Sequence, residues 1–430
     1  MNSLFIFHRD LHIHDNLGLK DCLENSELAY LVFIFTPQQI EKNEYFSENS
    51  FSFMLGALKE LSQNVKISFF YKDSEKFLDH AIKELKITDV WENRDFSPFA
   101  RLREASNADI CKKHKINHHL VETVTILPMG SLLTNKGTCY MKYTPFYKNA
   151  KKTKVPQPQD ISKSLLNKIN EKTLKGEVKL NTFDYNFSAN GRSQALQLMA
   201  KFNKIEKHYL TDRNFPHLDV ASHLGPHLHF CTISTREAYW SVKNEAFRAQ
   251  LFWREFYMYI VNYISTSYTK KSFTLPRMNK MKWKTDDAAL KKWQDGKTGV
   301  PIVDAGMRQL LNTGYMHNRL RMITAMYLIF YLKIHWKEGE KWFAQNLTDY
   351  SYSNNYGGWV WCAGIETHSN PYFRVFSMLE QNKRFDKDCE YIKQWVPELR
   401  DLSPKEIFVK YDGLKELRTK RIGQIKTEII

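Results

Sequence analysis

The residues with the most chemical potential crowd into the second half of the chain. Phe252-Trp253-Arg254-Glu255-Phe256 sits in a segment of helical periodicity, and Gln250 lies just before it. Met316-His317-Asn318-Arg319-Leu320-Arg321-Met322 follows, then Asp349, Asn354-Asn355-Tyr356-Gly357-Gly358-Trp359-Val360-Trp361 and Pro371-Tyr372-Phe373-Arg374. Arginine beside carboxylate offers a bidentate, orienting pair. Tryptophan offers core packing, base stacking or a path for electrons, and nearly all of the ten fall in this half. No GxGxxG fingerprint and no Walker loop occurs in the first half, so a phosphate-cradling glycine loop is not the source of the chemistry.

Two kinds of element must position these groups. Leu4–Phe7, Tyr30–Phe35, Ile67–Tyr71 and Ile87–Trp91 read as strands, with helices over Ser50–Leu61 and Ser74–Leu85 between them. Alternating strands and helices with apolar strands predict a doubly wound parallel sheet over residues 1–125. Asp15-Asn16 reads as a helix start. Residues 126–190 are lysine-rich and broken by Val155-Pro156-Gln157-Pro158, which reads as a partly helical connector. From 191 to 430 helical periodicity dominates, with helices predicted over Ala195–His208, Thr235–Ser265, Ala288–Gln294, Ile302–Asn312, Arg319–Ile334 and Glu338–Gln345. Asp295-Gly296 and Thr313-Gly314 punctuate them.

Composition narrows the partner and the compartment. The 430 residues are 43% hydrophobic, enough for a sizeable core, and carry a net charge of +16. Such an excess favours a polyanion, most simply nucleic acid, over a neutral partner. The six cysteines are dispersed, which fits neither a disulfide scaffold nor a zinc site and points to a reducing compartment with no metal. The apolar N-terminal run is too short for a signal peptide, and no stretch approaches the roughly 18 apolar residues of a membrane span. The expectation is a soluble intracellular monomer, cytoplasmic or nuclear.

Five motifs in this order resemble the photolyase/cryptochrome family, over almost the whole chain and most sharply from Tyr209 to Leu399. The resemblance implies an antenna-type α/β domain, a helical FAD-binding domain and light-driven repair of cyclobutane pyrimidine dimers in DNA. By that resemblance Tyr209 and the stretch Ala221-Ser222-His223-Leu224-Gly225 hold the phosphates of FAD, Arg321 and Asp349 pair beside its ring, and Asn355 faces flavin N5. Ser351 stands where the family commonly has a second acid. Trp283, Trp336 and Trp359 fall on the family's tryptophan relay.

The same resemblance makes Trp253 and Trp361 the walls of a pocket for the flipped dimer, lined by Asn318 and Met322. Members acting on the (6-4) photoproduct carry histidines at those two positions. Gln250 departs from the glutamate usual in dimer-splitting members, because glutamine donates through its amide but cannot pass a proton. It keeps a (6-4) enzyme or a cryptochrome-type blue-light receptor open as alternatives. So do Gly225, Cys231 and Ser377-Met378, which also depart from the family pattern. Arg254, Arg319, Arg374 and Gln381 match positions near the DNA backbone. In the antenna domain His8, His12 and Phe99-Ala100-Arg101 depart from the family, so a second chromophore is expected without a named identity.

Overall fold

The computed structural model describes residues 1–183, 190–267, 282–364, 375–412 and 414. Its N-terminal half is built on five parallel strands, β1 (Asn2–Phe7), β2 (Leu28–Phe35), β3 (Ser68–Tyr71), β4 (Asp89–Asn93) and β5 (Asn117–Val121), ordered β3-β2-β1-β4-β5. Chain direction across the sheet reverses beside β1, the switch point outside whose strand ends such sheets form their crevice. Strands β1 and β2 are apolar because both faces are covered, by Phe5, Phe7 and Leu31 on one side and Leu4, Ile6 and Val32 on the other. Asn16 caps the Leu17–Glu24 helix by accepting from the Leu19 amide at 3.0 Å.

Strand β5 escapes the sequence reading because its residues are polar. The carboxylates of β4 explain it: His118 bonds the fully buried Glu92 at 2.6 Å, and His119 bonds Asp89 at 2.8 Å. His8 on β1's trailing end takes the other oxygen of Glu92 at 2.6 Å. These bonds hold the Glu92 carboxyl well below the usual carboxylate range against the opposing effect of burial.

Helices build the rest. The expected helix over Thr235–Ser265 is two, Thr235–Ser241 and Glu245–Ser267. The break arises because Asn244 starts the second helix, its side chain accepting from the Phe247 amide at 3.1 Å, while Val242 is buried in an extended conformation. The expected helix over Arg319–Ile334 is regular only over Asn318–Met326. It widens to a π-turn over Tyr327–Leu332 and ends at the left-handed Lys333. Gly314, also left-handed, closes the Pro301–Thr313 helix.

The two halves are locked by buried charge. Asp15, fully buried with φ +64°, accepts from Arg236 Nε at 2.9 Å and from Ser234 Oγ at 2.6 Å. The connector also returns to the sheet. Ala29 and Asn170 exchange bonds with it (Ala29 N to Lys168 O at 2.9 Å, Asn170 N to Ala29 O at 2.8 Å), and Val178 N reaches Phe69 O at 2.8 Å. Among the described residues no helix is long and apolar enough to cross a membrane, and no cluster suits a metal. All six cysteines are buried and unpaired.

Candidate active site

A cavity of about 530 Å³ opens in the helical half, between the Glu245–Ser267, Asn318–Met326 and Tyr352–Cys362 helices. Of the residues singled out from sequence, Gln250, Trp253, Arg254, Asn318, Arg321, Met322, Asp349, Ser351, Asn355, Trp359 and Trp361 line it. Gly358 lines it as well, and a Cβ built there would meet nothing within 4 Å, so the wall leaves open room at that point. Two contributors escape the sequence reading. Tyr143 and Thr144 come from the connector, where lysines mask a helix over Tyr143–Ala150. The Tyr143 ring stacks on Trp253 at 3.7 Å and 9°.

Polar groups converge on one side of this space. Arg321 Nη2 bonds both oxygens of Asp349, at 2.9 and 3.1 Å, and Arg321 Nε holds the Met316 carbonyl at 2.8 Å. Gly225 lies against that carboxylate so closely that a Cβ would fall 2.5 Å from Asp349 Oδ2, which accounts for glycine there. The 221–225 stretch is thereby brought to the Arg321–Asp349 pair. Ser222 Oγ accepts from the Leu224 amide at 3.4 Å, and Leu224 is fully buried, so its backbone alone could meet a ligand. Tyr209 packs beside Phe202 and Phe247, half-buried, outside the cavity lining. Asn355 gives its amide hydrogens to the Glu340 carbonyl (3.1 Å) and carboxylate (2.9 Å), leaving Oδ1 as its open acceptor. Ser351 Oγ takes the Asn354 amide at 3.2 Å. An open aromatic-walled space with a charged pair and an oriented amide fits a flat, hydrogen-bonding ring with a phosphate tail such as FAD.

The three relay tryptophans form a file leading away from the cavity. Trp359 and Trp336 are buried, at 2% and 3% exposure, and Gly339 leaves no space for a Cβ between the Trp336–Asn346 helix and the Trp359 ring. Trp283 is half-buried. His335, which no motif marks, stands between the outer pair, 4.7 Å from Trp283 and 5.9 Å from Trp336 by ring centres.

The arginines divide. Arg254 does not reach outward as expected for a DNA contact. It is largely buried and donates to the Val124 carbonyl at 2.9 Å and the Leu228 carbonyl at 3.3 Å, binding the two halves together. Its neighbour Glu255 is fully buried, and burial pushes its carboxyl up to about 7. Arg319 and Gln381 are brought together at 3.3 Å, with Arg319 also on Asn214 at 2.6 Å and 3.4 Å above the Phe385 ring. Burial, with Arg384 and Arg213 nearby, lowers the Arg319 guanidinium to about 10. Arg374 lies outside the described residues.

A second cavity, about 660 Å³, lies at the C-terminal ends of the strands. Arg9, Arg103 and His229 line it, and Arg9 Nε, Arg103 Nε and Nη2 and His229 Nδ1 are buried without a partner among the described residues. Tyr350 and Ser351 line both cavities.

A parallel-sheet half joined to a helical half that encloses such a site defines a flavoprotein of photolyase architecture. Two family models match, that of the DNA photolyase domain over residues 3–162 and that of the FAD binding domain of DNA photolyase over residues 247–427. The chain is 32% identical to the deoxyribodipyrimidine photo-lyase of Alkalihalophilus pseudofirmus, over 91% of this chain and 86% of that one. It is 30% identical to the enzyme of the same name from Escherichia coli, over 93% and 90%. The structure of an archaeal photolyase from Sulfolobus tokodaii, which holds two FAD molecules, is similar with TM-score 0.85 and 30% identity over 99% of this chain and 95% of that one. A Synechocystis cryptochrome shares the fold at TM-score 0.85 and 22% identity, over 95% and 91%. The chain belongs to the DNA photolyase family and binds FAD through its helical half.

Proposed function

We propose that this protein uses light to split cyclobutane pyrimidine dimers in DNA. The observation that carries the reading is the meeting of Asn318 and Met322 with Trp253 and Trp361 in one cavity that also holds the Arg321–Asp349 pair. A dimer must leave the duplex to be reached, and the two tryptophans offer flat walls for it once flipped. Asn318 and Gln250 carry amides that can bond the pyrimidine edge. Reduced FAD, excited by light, supplies one electron to the dimer and recovers it after the ring opens, so no net redox change results. The protein's own work is to bind, orient and exclude water. Trp283, Trp336 and Trp359 serve to bring the flavin to its reduced state. Arg319, Gln381 and Arg374 face the DNA backbone, where contacts position without reading sequence.

The second cavity suits a light-collecting chromophore. Its unpartnered donors on Arg9, Arg103 and His229 call for an acceptor-rich group, and a phosphate on a flat aromatic ring meets that need. In the Sulfolobus tokodaii photolyase, the two FAD molecules imply a novel light-harvesting cofactor of that protein. Chromophore release from purified protein tests this: a second absorbing species should be lost in Arg103→Ala while FAD is kept.

The deciding experiment illuminates the protein, flavin reduced, with DNA carrying either lesion beside a dark control. Light-dependent loss of cyclobutane dimers alone is expected. Loss of (6-4) products alone would make Gln250 the controlling residue. Bound, photoreducible flavin without repair would favour a blue-light receptor of cryptochrome type.

A further inference from the structure

The segment 42–47 of the sheet half forms part of the wall of the second cavity and also docks on the Trp336–Asn346 helix. Lys341 pairs with Glu44 at 2.6 Å, and Gln345 Nε2 donates to the Glu44 carbonyl at 2.8 Å. These contacts deliver Tyr45 to a place where its ring stacks with Tyr350, 6.5 Å between centres and 26° between planes. Its phenol reaches the Glu340 carboxylate, 3% exposed, which the Tyr350 hydroxyl also approaches at 3.5 Å. The same Glu340 takes both amide hydrogens of Asn355.

We propose that Tyr45, carried by the sheet half, is a positioning residue for the flavin site, acting through Glu340 to fix which atom of Asn355 faces the cavity. This rests on the flavin reading of that cavity. With Tyr45 donating, Glu340 stays an ionised acceptor and draws both Asn355 N–H groups, so Asn355 offers its oxygen to the cavity. An oxygen acceptor suits the ring N–H of a reduced flavin, whereas an amide N–H would suit the bare ring nitrogen of an oxidised one. Without the Tyr45 hydroxyl, Glu340 loses a donor and takes up a proton more readily. A protonated carboxyl donates, the Asn355 amide turns to accept, and its N–H points into the cavity. Burial already raises the Glu340 carboxyl, while the bonds from Asn355, Tyr45 and Tyr350 oppose that rise. The other charged or titratable groups facing it are Lys337 on its own helix, Tyr352, and the Lys341–Glu44 pair. Burial and the Glu340 charge push the Tyr45 phenol up to about 12, so it remains a donor throughout the neutral range.

The experiment follows the absorbance of reduced flavin as dissolved dioxygen reoxidises it, across pH 6 to 9, in whole wild-type protein and Tyr45→Phe. The expected result is at least threefold faster reoxidation in Tyr45→Phe near neutrality, with the pH profile displaced upward by about one unit, the size of one lost bond to a charged group. Glu340→Gln should flatten the profile, and adding Tyr45→Phe to it should change nothing further. A Tyr45→Phe profile that superimposes on wild type overturns the proposal, whether or not Glu340→Gln folds. Wild-type protein without bound flavin would overturn the flavin reading along with it. Intact light-dependent dimer repair with an unmoved Tyr45→Phe profile would remove this inference alone.

Discussion

Gln250 turns its amide back toward the Ala246 carbonyl of its own helix, at 3.5 Å, although it lines the cavity. Glutamate there could bond the lesion and hold a proton near it. Gln250→Glu should therefore raise dimer repair per absorbed photon by up to about tenfold, the worth of roughly one hydrogen bond. Repair yields on a dimer-containing oligonucleotide, with photons counted, check this, and an unchanged or lower yield sinks the account. Trp359→Phe makes a different cut. Photoreduction of oxidised flavin should fall at least tenfold, while dimer repair by chemically reduced protein persists. Residue types are legible in the sequence because the lining groups cluster in short motifs. Side-chain direction is not: Arg254 sits in one of those motifs, yet its guanidinium serves carbonyls of Val124 and Leu228. Nor is Glu340, which lies outside every motif and gains its role from Asn355, Tyr45 and Tyr350 only in three dimensions.

Elements are readable wherever the apolar period is strong and escape reading where polar side chains find partners. The apolar β1 and β2 stand out, whereas β5 is hidden by His118 and His119, polar residues that a strand accepts only because Glu92 and Asp89 answer them. The break at 242–244 is hidden for the converse reason, since Asn244 within a helical run reads as tolerable until its capping bond is known. The Arg321–Asp349 bond ties the Asn318–Met326 helix to the loop before Tyr352–Cys362 and sets the spacing of two cavity walls. Asp349→Asn should weaken that charge-assisted contact by about 2 kcal/mol and cut FAD affinity by tenfold or more. Equilibrium dialysis against FAD measures it, and a variant that holds FAD at wild-type strength would refute it.

Over the whole molecule, charge and joinery set the behaviour. With a net charge of +16, binding to undamaged DNA should weaken linearly in log affinity against log salt, with a slope of about −0.9 per phosphate neutralised. A flat response in a salt titration would exclude the electrostatic reading. Asp15→Asn keeps the side-chain shape and tolerates φ +64°, but strands the buried Arg236 charge. Urea unfolding should show a loss of about 3–5 kcal/mol. The connector, through its bonds at Ala29 and Phe69, also finishes the sheet that precedes it. Strand β3 spans only Ser68–Tyr71, so the first residues of β2 have no strand beside them on that flank, and residues 168–170 occupy the place. Severed after residue 125, the sheet would present bare backbone to any neighbouring copy, an invitation to aggregate. The sheet half is thus no detachable cassette: transplanted onto another protein, it would have to bring its tether with it.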